Sequence, residues 1–211
     1  MKTLEVEGQY DGPEAPEDVQ FILERALWDA SVTKSESLVS ETGAVISSCE
    51  TVNFDDIELH HLPSILDCYR HFSVALRSIA FDEKPAPGSF HARVGYAAEV
   101  RLLDHHHHRP LDVGDIAHTI LEEGKLHFDG VKVEFAPSEE DPYEGILSVE
   151  AHTSDCEFRE ICESERTQLI DFVRFFLDQS PLAITGGEAA RATVVDVPWK
   201  PPEVPDPRPT L

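Results

Sequence analysis

Strict alternation of apolar and polar positions is the strongest pattern in the chain, and it covers residues 90–103. The apolar set is Phe90, Ala92, Val94, Tyr96, Ala98, Val100 and Leu102. Successive side chains of a β-strand point to opposite faces of its sheet, so this period of two predicts a long strand with one buried and one solvated face. We expect Val94, Tyr96 and Val100 to be buried and this strand to be the central one of the fold.

Apolar residues at a spacing of three and four predict four helices. The first begins at Pro16, the second spans residues 62–80, the third spans residues 112–124 with Asp112 as its N-cap, and the fourth spans residues 164–179. The apolar set of the fourth helix is wider than one stripe. Either this helix is buried on most sides, or part of its surface belongs to a partner.

Turn residues between alternating runs predict β-hairpins at Thr42-Gly43 and at Asp129-Gly130, and a further strand follows at residues 143–152. The predicted fold class is therefore α+β. We expect a mainly antiparallel sheet centred on the strand at 90–103, with three to four helices packed on it.

Prolines dominate the sequence after residue 197 and predict an extended, polyproline-like conformation for residues 198–211, here called the proline-rich segment. Gly186-Gly187 precedes it and is predicted to be a hinge. The predicted organisation is a single α+β domain over residues 1–184, followed by a hinge and an extended proline-rich tail over residues 185–211.

The formal net charge is −24, from 41 acidic and 17 basic residues. Free nucleic acid and anionic membranes are excluded as expected ligands, because both require a basic surface. An acidic surface attracts basic proteins instead. Residues 66–109 are nearly neutral, and the densest acidic stretch is Glu139–Glu165, whose one base is Arg159.

The compartment is predicted from two features. Residues 1–10 lack the apolar core of a signal peptide. The four cysteines, in a chain of this length without a signal, indicate reduced thiols rather than a disulfide framework. We expect a cytoplasmic protein.

Four consecutive histidines, residues 105–108, are the first candidate for chemistry. Imidazole is a common metal ligand, but neighbouring side chains of an extended chain point to opposite sides, so only His105 and His107 are predicted to converge on one ion. A solvated turn with only weak affinity for divalent metals is the explanation that we favour for the run. We expect no resident cofactor.

A second candidate metal site combines histidines and cysteines of the second predicted helix with Cys156 and Cys162, but the spacing of these two cysteines is wider than in structural zinc sites. The chain also lacks a nucleophile elbow, a phosphate-binding glycine loop and a zinc-protease motif. No motif identifies a reaction, and we expect a protein without enzymatic activity.

The expected function is protein interaction, in an assembly, immunity, inhibitor or adaptor role, with a protein partner whose surface is basic and with a homo-oligomer as a further possibility. The residues predicted to bind the partner combine the acidic stretch with an aromatic anchor among prolines, and they are Glu139, Glu140, Asp141, Trp199, Pro201, Pro202 and Pro205. Two alternatives stay open at this point. One is a metal-dependent enzyme built on the histidine-rich segment, and the other is a nucleic-acid mimic that inhibits a basic DNA-binding partner.

Overall fold

The computed structural model describes residues 2–12, 29–83, 86–104, 109–124, 128–156, 159–180 and 182–196. The α-helices in this part of the chain are α1 (Leu62–His71), α2 (Val113–Gly124) and α3 (Arg159–Gln179), and a single 3-10 turn at Leu59–His61 precedes α1. The strands are β1 (Lys2–Asp11), β2 (Asp29–Val39), β3 (Val45–Asp55), β4 (Ala75–Glu83), β5 (Phe90–Arg101), β6 (Leu103–Asp104), β7 (Arg109–Pro110), β8 (Gly130–Pro137), β9 (Glu144–Cys156) and β10 (Ala183–Asp196).

Eight of these strands form one sheet in the order β10-β5-β9-β8-β4-β1-β3-β2, and every neighbouring pair is antiparallel. The short strands β6 and β7 pair separately with each other. The outer strands of the large sheet are β2 and β10, so its two edges come from different parts of the sequence.

The sheet is built from the same strand arrangement twice. In β1–β4 the fourth strand lies beside the first, and the third lies between the first and the second; β5, β8, β9 and β10 repeat this order. The second half runs strand, helix, strand, strand, helix, strand, which is the ferredoxin-like arrangement. The two halves join where β4 pairs with β8, from Ser78 opposite Glu134 to Asp82 opposite Gly130.

One hydrophobic core joins the sheet to the helices, with α3 packed on β5, β9 and β10 and α2 packed on β4 and β8. Val94, Tyr96 and Val100 are buried in it, whereas Arg93 and Glu99 on the opposite face of β5 are exposed. The predicted division of this strand into a buried and a solvated face is confirmed.

The predicted fold class is wrong in its architecture. The strand at 90–101 is not central: it lies second from the β10 edge. The described chain is mostly antiparallel sheet with only three α-helices, so the prediction of a sheet with three to four helices packed on it is matched only in part. Alternation of apolar and polar residues indicates that one face of a strand is buried. It does not distinguish a central strand from one near the edge, because both have one buried face. The helix predicted from Pro16 falls within residues 13–28, outside the described residues.

The helix predicted over residues 62–80 ends at His71, and its second half is strand β4. The chain turns at Ser73, whose φ is 57°. The pairing of β4 with β1 shifts register beside Gly8, so a bulge places both Leu76 and Ile79 in the core. In the sequence, two apolar residues three positions apart are also typical of a helix, which explains the wrong prediction.

The hairpin predicted at Thr42-Gly43 is confirmed, since β2 and β3 pair across this turn and Gly43 has a φ of 82°. The hairpin predicted at Asp129-Gly130 is wrong. Gly130 already belongs to β8, where it lies opposite Asp82 on one side and His152 on the other.

Residues 183–196 form the edge strand β10 against β5. The glycine pair predicted to be a hinge lies inside this strand, where the register shifts on both sides of Gly186 and Gly187 adopts a φ of 64°. The proline-rich segment lies outside the described residues, and its extended conformation stays a prediction.

Candidate partner-binding groove

A groove with a volume of about 420 Å³ lies between α2 and α3. Its apolar lining is Leu111, Ile116, Phe172, Phe175, Phe176 and Leu182. Its polar lining is Asp115, Thr119, Glu123, Gln179 and Ser180. The groove is therefore an apolar cleft with hydrogen-bonding groups, open at the surface.

The aromatic wall follows from the wide apolar set of α3. Leu169, Val173 and Leu177, spaced by four residues, are each at most 2% exposed and supply the core contact of the helix. Phe172 and Phe176 pack against the core only in part, whereas Phe175 is 64% exposed. Of the two alternatives that the sequence leaves open, burial accounts for most of this set, but it does not account for Phe175.

Two carboxylates line the groove and a third lies near it on α3. Asp115 and Glu123 on α2 line it, and Asp171 is exposed one turn before Phe175 on α3. An apolar wall beside carboxylates is complementary to a segment that carries both apolar and basic side chains.

The α2 wall is fixed by an ion-pair network with α1. The Arg70 Nε donates to Asp112 Oδ2 at 2.7 Å, and the Arg70 Nη2 donates to Asp112 Oδ1 and to Asp115 Oδ1, each at 3.0 Å. Asp112 also caps α2, because its Oδ1 accepts the backbone N–H of Asp115 at 2.9 Å, as the sequence predicts. The hydrogen bonds to Asp112 raise the pKa of Arg70 above its ordinary value, although partial burial opposes this.

The predicted acidic residues lie at the same end of the sheet as the groove. Backbone hydrogen bonds from Leu111 to Leu102 and from Leu102 to Tyr143 connect the groove lining to the turn between β8 and β9. Glu139 and Glu140 are exposed in that turn.

The third acidic residue of that turn, Asp141, is also used within the protein. Its Oδ2 accepts a hydrogen bond from the Arg101 Nη2 at 3.3 Å, and its Oδ1 accepts the Tyr143 N–H at 2.9 Å. The partner-binding role of Glu139, Glu140 and Asp141 stays a prediction.

The remaining predicted site residues fall outside the described chain. These are Trp199, Pro201, Pro202 and Pro205 of the proline-rich segment and the predicted metal ligands His105 and His107. Within the described ranges, no group of three or more His, Cys, Asp or Glu side chains is arranged to hold a metal ion.

A cluster that the sequence does not predict crosses the junction between the two halves of the sheet. His152 Nε2 lies 2.8 Å from Asp82 Oδ1, and the His91 ring centroid is 5.9 Å from that of His152. The His152 ring lies where a side chain on Gly130 would be, so this glycine makes room for it. The Asp82–His152 contact is an ion pair by distance, but Oδ1 lacks a partner with hydrogen-bond geometry among the described residues.

Two groups of this cluster, His91 and Asp82, have lowered pKa values. Partial burial, with the nearby charges of His152 and Arg93, lowers the pKa of His91 below 6.5, and Asp82 opposes this only in part. Burial alone would raise the pKa of Asp82, but the interaction with His152 and the charges of Arg93 and His91 outweigh it and lower the pKa below 3.8. The folded protein therefore favours neutral His91 and ionised Asp82.

Acidification is expected to destabilise the fold through His91. Its pKa is lower in the folded than in the unfolded state, so its contribution to stability is complete above the unfolded value of 6.5 and is lost as the pH falls from that value through the lower pKa of the folded state. Melting temperatures of wild type and His91→Gln between about pH 8 and pH 5 test this, and the variant is expected to lose less stability. Equal losses in both proteins would show that His91 does not contribute.

Comparison with known proteins does not identify a family. No family model matches the chain, and no curated protein matches it. A structure described as a glycine cleavage system transcriptional repressor covers 92% of this chain and 98% of its own, with 7% identity and a TM-score of 0.25. An anthrone oxidase-like protein covers 92% of this chain and 93% of its own, with 12% identity and a TM-score of 0.27. TM-scores this low carry no argument about function.

The helices of the described chain are all too short or too polar to cross a membrane. The predicted cytoplasmic location stays a prediction.

Proposed function

We propose that this protein is a non-enzymatic interaction component that binds a protein partner with a basic surface through the groove between α2 and α3. The observation that supports this most is Phe175, a large aromatic side chain that is 64% exposed in the wall of an apolar groove. Aromatic side chains at such positions are typical anchors of protein interfaces.

Burial of Phe175 by a partner contributes substantially to the free energy of binding. An aromatic side chain buries about 150–250 Å² when covered, so covering the exposed 64% of Phe175 contributes about 2–4 kcal/mol at ~25 cal/mol per Å². Phe172 and Phe176 are half-buried and add to the same surface. A partner that inserts one apolar side chain here gains most of its affinity from few contacts.

Charge selects the partner. The net charge of −24 attracts basic proteins over long distances, and the carboxylates of Asp115, Glu123 and Asp171 are placed to meet basic residues next to the inserted side chain. The ligand that this groove fits best is a segment with an apolar anchor flanked by lysine or arginine. No specific contact of the described residues favours the alternative roles of metal-dependent enzyme or nucleic-acid mimic over this one.

The test uses a fluorescent amphipathic peptide of leucine and lysine as the probe, titrated with the full chain and followed by anisotropy. Phe175→Asp is expected to weaken binding by about tenfold or more, equivalent to ~1.4 kcal/mol. The matched control is Leu38→Asp, because Leu38 is 60% exposed on β2, the sheet edge opposite β10.

Both substitutions add one negative charge, so a purely electrostatic interaction with the basic probe would be strengthened slightly and equally by both. Equal affinities for the two variants would contradict the groove as the binding site. Added salt is expected to weaken binding of the basic probe, since it screens the attraction.

A further inference from the structure

We propose that the groove between α2 and α3 binds the proline-rich segment of a second copy of this chain, with Trp199 inserted beside Phe175. This inference rests on the proposed groove as a binding site and goes beyond the proposed function, because the occupant that it names is a segment of balanced charge from a second copy and not a basic protein. It places the anchor and its receptor on different surfaces of one protein.

The Trp199 side chain does not reach Phe175 of its own chain. Ala183 lies opposite Arg101 and Asp196 lies opposite Phe90, so β10 runs the length of β5, away from Leu182 in the groove lining. The 11 steps from Phe90 to Arg101 span about 36 Å at ~3.3 Å per residue.

Phe175 lies far from the returning chain. It precedes Gln179 by four residues, so it lies back from that end of α3 by about 6 Å at 1.5 Å per helical residue. Trp199 follows Asp196 by three residues, and its Cα therefore lies within about 11 Å of that of Asp196. Roughly 30 Å separate Asp196 from Phe175 along the strand direction, so Trp199 is able to lie beside Phe175 only in another copy.

The segment has the chemistry that the groove requires. Trp199 supplies a large apolar anchor, and Lys200 follows it directly and meets the carboxylates of Asp115 and Glu123. A volume of about 420 Å³ is sufficient for an indole ring and an adjacent proline. The prolines restrict the unbound segment, so less conformational entropy is lost on binding.

Net charge gives this association a distinct salt dependence. Within the segment, Lys200 and Arg208 balance Glu203 and Asp206, whereas each whole chain carries a net charge of −24. Two copies therefore repel each other, and screening by salt is expected to strengthen their association. A basic partner behaves in the opposite way.

The predicted contact is head-to-tail. Groove and segment are different surfaces, so each copy offers one receptor and one anchor. Two copies that exchange their segments form a closed two-fold dimer, and segments passed on from copy to copy form a larger ring or an open chain. The mean mass of the wild type is expected to rise with concentration, and to rise further in added salt.

Mixing two variants tests this arrangement. Trp199→Ala keeps the groove but lacks the anchor, and Phe175→Asp keeps the anchor but has a damaged groove. Each variant alone is expected to be monomeric by sedimentation velocity, whereas an equimolar mixture forms dimers and nothing larger, because one intact contact is possible per pair. Leu38→Asp, the same control as above, is expected to associate like the wild type.

A wild type that stays monomeric at every concentration would overturn the inference, as would variants that still associate alone or a mixture that stays monomeric. Near-ultraviolet circular dichroism checks that each variant is folded, and Phe175→Ser replaces Phe175→Asp if it is not. Absence of self-association is distinguishable from absence of peptide binding at the groove. If the leucine–lysine probe still binds in a manner that depends on Phe175, the groove stands as a binding site and only its assignment to a second copy is lost.

Discussion

Replacing Gly145 by alanine is expected to lower the free energy of unfolding by about 3 kcal/mol, at the upper end of the cost of overpacking. Gly145 lies near the start of β9, between Val100 of β5 and Pro137 of β8. A Cβ at this position would overlap the carbonyl oxygen of Ala136 and would approach the Cα of Pro137 to 2.8 Å. Both are backbone atoms of a paired strand, so neither is able to move without breaking the pairing of β8 with β9.

A second glycine of the same sheet provides the control. A Cβ at Gly95 would have the Arg191 carbonyl oxygen as its nearest neighbour, at 3.9 Å, an ordinary contact. Gly95→Ala is expected to be neutral or to stabilise by up to about 1 kcal/mol, since alanine loses less conformational entropy on folding. For a chain of this size, the difference between the two variants amounts to roughly 10 °C in melting temperature. Similar melting temperatures would contradict the strand packing of β8 and β9.

Replacing Arg70 by alanine is expected to cost about 2 kcal/mol, between the values for exposed and buried ion pairs. The Arg70 side chain is 33% exposed and that of Asp112 is 24% exposed, so solvent weakens this network only in part. The variant leaves Asp67, Asp112 and Asp115 without their shared cation in a protein that already carries a net charge of −24. It also loosens the attachment of the α2 N-terminus to α1.

The Arg70→Lys variant separates two contributions of Arg70 to stability, its hydrogen-bond geometry and its positive charge. Lysine keeps the charge but loses the two-pronged contact with Asp112, so we expect a cost of about 1 kcal/mol. Arg166→Ala, at an exposed position of α3, is expected to change stability by less than about 0.5 kcal/mol. Denaturant unfolding measures all three, and an Arg70→Ala variant as stable as the Arg166→Ala variant would show that the network does not stabilise the fold.

Local features of the chain are predictable from the sequence where they depend only on residues that are close in sequence. The alternation in β5 predicts its buried face, Asp112 predicts the start of α2, and Thr42-Gly43 predicts the first hairpin, because each depends on neighbouring residues only. The end of α1 and the start of β4 were predicted wrongly because a bulge at this point changes a period of two into a spacing of three.

The arrangement of the strands is not predictable in the same way. The repeated strand order depends on which distant strands pair, and the two halves share no pattern that reveals the repeat in the sequence. The Asp129-Gly130 turn was predicted wrongly for a related reason. Gly130 is required by the ring of His152, which is distant in sequence, and not by a local turn.

The sequence predicts that α3 has excess apolar surface, but it does not predict the groove itself. The width of the apolar set on α3 indicates that this helix carries more apolar surface than one contact needs, and the sequence alone does not show which residue stays uncovered. Only the packing of α3 against the sheet separates Val173 from Phe175. The Asp82–His152–His91 cluster gave no signal in the sequence, since its members come from three strands.

Amide hydrogen exchange of the full chain, with and without the leucine–lysine peptide, tests whether the groove is the binding site. The peptide is expected to slow exchange in α2 and in the second half of α3, from Ile170 to Gln179, and to leave β2 unchanged. Protection confined to the turn at residues 138–143, or spread evenly over the acidic surface without a change in α2 and α3, would contradict the groove as the binding site.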